Sequence, residues 1–183
     1  MDEQGRIRLY AFLSRMFSDV LDKKLLEELK NDTSILEMVL QDEVAWFLDA
    51  PSDVLEESLN VDFSSLFWMH SMPIESSILD DKEEVLVGLQ NPVMQFYFEH
   101  GYELHLSSSK QHAPDHISLE LAFMQNLILK HERPAQRAFL EKHLLQWVPS
   151  YLLGIEGMAQ TPFYKGLCTL CVEFLMADYE GLC

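Results

Sequence analysis

The sequence predicts an all-α fold built as a single domain over residues 1–183, and three observations carry that prediction. Apolar residues return at the three- and four-residue spacing of one helix face in segment after segment. Residues that open helices (Pro, Ser, Thr, Asn, Asp) precede those segments, and Gly101 stands where one closes. Strand-like alternation is weak, and no Asn-Gly or Asp-Gly hairpin turn occurs.

In chain order, Ile7, Leu9, Tyr10, Phe12, Leu13, Met16 and Phe17 form the apolar stripe of a first helix. Ser18 and Asp19 interrupt it, and Leu25, Leu26 and Leu29 mark a short second helix ending at Asn31 and Asp32. Ser34 is placed to cap a third, running through Ile35, Leu40, Val44 and Phe47 and stopping before Pro51. Asp53 with Glu56 resembles a capping pair for a helix through Leu59, and Val61, Phe63, Leu66 and Phe67 suit a further short one. Residues 69–77, with Pro73, read as a loop from which Glu75 points outward. Asn91-Pro92 opens the next helix and Gly101 ends it. Residues 102–113 lack periodicity and form the longest connector, a hinge that permits a domain-swapped dimer beside the monomer. Pro134 starts a helix that Pro149 forces to begin again, and Thr161-Pro162 opens the last one.

At 183 residues with 48% hydrophobic content, the chain can bury roughly 70% of its unfolded surface without disulfides. A net charge of -17 repels phosphate backbones and anionic lipid and attracts cationic partners, which argues against nucleic acid. The acidic N-terminus lacks a secretory pattern, and no apolar run approaches the ~20 residues of a membrane span. A cytoplasmic location is therefore expected. Three cysteines fit reduced thiols; Cys168 and Cys171 share a helix and read as small core side chains.

The stretch Ala113 to Met124 joins a loop end, a helix start and ionisable side chains. Pro114 suits a first helical turn, where a missing N–H costs nothing, and Asp115 favours the positive helix end. His116 and Glu120 lie four apart on one face, beside an apolar stripe of Ile117, Leu121 and Met124. These residues have structural readings too: Asp115 as a cap, His116 as a hydrogen-bonded core histidine, Glu120 as a solvated helix residue, and Glu75 as a cap.

Several landmarks in order resemble the TorD/DmsD/NarJ family of chaperones for molybdenum-containing redox enzymes. They are Leu9-Tyr10-Ala11-Phe12-Leu13-Ser14, Phe63-Ser64-Ser65-Leu66-Phe67, Pro73-Ile74-Glu75-Ser76, Pro114-Asp115-His116 with Glu120-Leu121, His143-Leu144 with Trp147, and Pro162-Phe163-Tyr164. The chain departs from the family at Trp68-Met69, where Gly-Pro is common, and at Ile78, where an aromatic residue is common. The resemblance implies a TorD-like helical bundle with no cofactor, no bound metal and no catalysis. It also implies a partner: the catalytic subunit of a molybdoenzyme, recognised through its twin-arginine signal or N-terminal segment and held until the cofactor is inserted.

Adjacent guanidinium groups call for carboxylates, and Asp115 and Glu120 are placed to accept paired N–H bonds. His116, Pro114 and Glu75 complete the polar set, while Trp68, Met69 and Met72 offer apolar contact to the rest of the signal. The competing reading is a metal-dependent hydrolase using His100, His105, His112 and His116 with Asp115 and Glu120. No His-Glu-x-x-His motif supports it, and no phosphate-binding glycine loop is present.

Overall fold

The computed structural model describes residues 1–79, 86, 88–104 and 113–183. Among these the architecture is helical throughout, with one isolated antiparallel bridge between Ile74 and His116. The helices are α1 (Glu3–Ser18), α2 (Lys23–Asn31), α3 (Thr33–Leu40), α4 (Val44–Asp49), α5 (Ser52–Phe63), α6 (Glu75–Leu79), α7 (Pro92–Glu99), α8 (Ile117–Leu129), α9 (Arg133–Phe139), α10 (Leu145–Glu156) and α11 (Pro162–Leu182). α1 lies along α8 at the centre, and α11 packs on α3 and α10. One continuous core runs through them, with an aromatic nest of Phe96, Tyr97, Phe123 and Phe139.

Several caps act as the sequence indicates. The Asn91 side chain accepts the N–H groups of Val93 and Met94, Gly101 takes a left-handed φ of 61°, and Thr161 caps α11. Cys168 and Cys171 are buried in α11, and burial pushes the Cys168 thiol up to about 12.

Other boundaries move because packing overrides local signals. The third helix is split: Asp32, rather than Ser34, caps α3, and Gln41 at φ 48° starts a 3-10 turn (Gln41–Glu43) before α4. The Asp53–Glu56 pair does not cap α5, whose start at Pro51 has no side-chain cap. Nor does a separate helix follow it, since α5 runs directly into a π-turn, Ser64–His70. Pro149 sits inside α10, just beyond a second π-turn, Leu140–Leu144. Its φ is already helical, and burial of Trp147, Val148, Tyr151 and Leu152 around it offsets the lost hydrogen bond. Of the predicted 102–113 hinge, residues 105–112 lie outside the described residues.

The central helix also starts later than Pro114 implies. α8 begins at Ile117, with His116 as its N-cap, and Pro114 lies buried in the turn before it. Its polar face is not solvated either: α8 is covered by α1 and α9, and Glu120 is enclosed with Ile117, Leu121 and Met124.

Candidate functional site

Two segments distant in sequence are strapped together at the head of α8. Residues 71–76 run antiparallel to 113–117, and Glu75 N–H donates to the Asp115 carbonyl while Ile117 N–H donates to the Pro73 carbonyl, both at 2.9 Å. The Asp115 side chain adds a third tie by accepting from Ser76 N–H at 2.8 Å, in the first turn of α6. Two hydroxyls hold the ends: Tyr151 donates to the Ser71 carbonyl and Tyr97 to the Pro114 carbonyl. These ties join the two segments through backbone and side-chain hydrogen bonds together.

Beneath it lie three carboxylates with little solvent. Glu75 meets Nδ1 of His143 at 3.0 Å, so it points inward rather than out of the loop. Asp115 is 1% exposed and Glu120 0% exposed. Among the described residues, no partner reaches the second Asp115 oxygen or either Glu120 oxygen. The Trp147 indole lies close enough to favour the charged Glu120 slightly, without a hydrogen bond of normal geometry. Burial, reinforced by the charges of Glu75 and Asp115, raises the Glu120 carboxyl well above the usual carboxylate range. These effects favour the neutral form of Glu120.

His116 turns its Nδ1 to the start of α8, where it accepts from Ser118 N–H at 3.2 Å and meets the Ser118 hydroxyl at 2.9 Å. An accepting Nδ1 carries no proton, and burial lowers the imidazole pKa to about 4. Neutral histidine is thus the capping form.

Asp115 and Glu120, expected to accept guest guanidinium groups, lie buried under the strap rather than at the surface. The side chains that face outward nearby include exposed His70 and three large apolar residues. Trp68 is 56% exposed and stands edge-on to Phe63, while Met69 is 81% and Met72 54% exposed. The structure thus brings Pro114, Asp115, His116, Glu120 and Glu75 together and sets Trp68 at the surface on the π-turn that leads into the strap. His143, Trp147, Tyr97 and Tyr151 complete the arrangement and were assigned no site role from sequence. The His143-Leu144 and Trp147 landmark points to two of these four and to neither tyrosine.

The two described histidines of the metal reading, His100 and His116, are not gathered in this way. His100 contacts Glu132 at 2.6 Å and stacks on Phe96, and His116 is spent on its cap. Among the described residues no three potential ligands converge, and His105 and His112 lie outside them.

Comparison with known proteins now adds to this geometry. The family model described as nitrate reductase delta subunit matches residues 22–152, which include α2 through most of α10 and the whole strap. The chain belongs to this family. The TorD/DmsD/NarJ resemblance read from its landmarks is borne out. Among its relatives, the chaperone protein TorD of Shewanella pealeana is 24% identical over 98% of this chain and 90% of its own length. TorD of Vibrio vulnificus is 26% identical, covering 98% of this chain and 95% of its own. The perchlorate reductase assembly chaperone protein of Dechloromonas aromatica is 28% identical over 66% of this chain and 62% of its own. No solved structure matches the chain. In the described residues, no helix is long and apolar enough to cross a membrane.

Proposed function

We propose that this family member is a cytoplasmic chaperone for a molybdenum-containing oxidoreductase. It binds the twin-arginine signal, or another N-terminal segment, of the catalytic subunit and holds it until the cofactor is inserted, before export or assembly. It acts by binding and carries out no catalysis, has no nucleic-acid partner, and works as a monomer with a domain-swapped dimer as its second form.

The observation that carries the reading is the exposed group Trp68, Met69 and Met72 at the approach to the strap, in a chain of net charge -17 whose relatives are named as chaperones. Adaptable methionines and an aromatic ring suit an apolar peptide whose sequence varies, and the surrounding negative field draws in a basic one. In this reading Pro114, Asp115, His116, Glu120 and Glu75 serve from beneath by fixing the strap that presents those side chains. A guest guanidinium reaches Asp115 or Glu120 only when the strap moves aside.

The test is titration with a synthetic leader containing adjacent arginines and an apolar stretch. Saturable binding is expected, weakened by Lys-Lys replacement, by salt above about 0.1 M, and about tenfold by Trp68→Ala. A leader that fails to bind, or binds alike after all three changes, removes the reading.

A further inference from the structure

Exposed apolar surface extends beyond the loop. On α5, Val54 and Val61 are 56% and 58% exposed and stand seven residues apart, two turns along one face. Both line a groove of about 510 Å³ whose floor includes Trp46, Ala50, Leu55 and Pro162, between α4, α5 and the start of α11. Its shape is set from within the core. The buried Asp62 carboxylate accepts the N–H groups of Gln160 and Thr161 and the Thr161 hydroxyl, at 2.6 to 3.1 Å, and so pins the α11 entrance against α5. A groove held this way needs little ordering when it is filled.

Charge narrows the occupant. Glu57 is the only charged side chain among the lining residues, and the chain around it is strongly acidic. An apolar helix flanked by basic residues fits such a floor and rim, whereas an acidic one is repelled. Position narrows it further, because α5, which carries Val61, runs directly into the π-turn that carries Trp68. Val54 and Val61 span about 10 Å of this groove, two helical turns.

We propose that this groove holds the apolar stretch of the client leader as a helix, with the leader's arginines toward the Trp68 end. The assignment rests on the chaperone reading and adds a second contact surface to it. Two probes separate them: the leader with both parts, and its arginine-containing half alone. Val54→Asn with Val61→Asn should weaken the whole leader about tenfold and leave the arginine half unchanged. The milder Val61→Thr should shift the whole leader in the same direction by less, with helicity of each variant checked by circular dichroism. If the wild type binds the whole leader and both variants bind it equally well, the groove assignment is overturned while the chaperone reading stands. If the wild type binds neither probe, both fall.

Discussion

His143 Nδ1 lies 3.0 Å from one Glu75 carboxylate oxygen and 3.2 Å from the other, joining residues 68 apart in sequence at a buried site. An acid–imidazole contact away from water gains little when whole, because desolvation offsets the attraction, but leaves a costly unpaired group when halved. Glu75→Ala and His143→Ala should each destabilise by about 2–4 kcal/mol in urea unfolding, and the double substitution by less than their sum. Additive losses would show that the two side chains act separately.

Glu120 makes a prediction of opposite sense. Its folded pKa is raised, so its contribution to stability is complete below the unfolded value near 4.5 and is lost as pH rises toward the folded value. Glu120→Gln removes that titration. The variant should be more stable than the wild type at about pH 8, with the gap closing toward about pH 5. Thermal unfolding across that range measures it, and a gap independent of pH would contradict the neutral-acid assignment.

His116 works on the acid side. Its pKa falls from 6.5 to about 4 on folding, so its contribution is complete above 6.5 and is lost as pH drops through that window, by up to about 3 kcal/mol. His116→Asn, which keeps a good capping side chain, should flatten this acid limb, whereas His116→Ala should flatten it and lose about 1 kcal/mol besides. Unfolding midpoints from about pH 4 to about pH 7 decide the matter.

Gly166 marks the closest approach of α11 to α3. A Cβ there would sit 1.8 Å from the Val39 carbonyl oxygen, so Gly166→Ala must push two packed helices apart and should cost about 2 kcal/mol or more. Gly154 in α10 faces open space, and Gly154→Ala should instead stabilise by about 0.5 kcal/mol. Equal effects from the two would show that the helix pair can slide.

The sequence is most informative where the signal is local. Asn91-Pro92, Gly101 and Thr161-Pro162 set helix ends through bonds made within a turn, and they stand where periodicity and capping place them. It is least informative where packing decides. The π-turn beyond Phe63, the break at Gln41 and the uninterrupted helix through Pro149 all answer to neighbours far along the chain. The site divides the same way: its residues are legible as a group, but not their burial. A glutamate four residues beyond a histidine reads as a solvated face, and its burial beside Glu75, Asp115 and Trp147 comes from segments distant in sequence.

The buried network at the other end of the molecule bears on how it is made. Arg6 of α1 bonds Asp178 of α11, 172 residues later, and also Gln136, while the Tyr10 hydroxyl donates to the same aspartate. A nascent polypeptide leaving the ribosome therefore presents its first helix with a guanidinium that has no counterion until translation has passed residue 178. Synthesis thus leaves α1 waiting for α11 before this network can close.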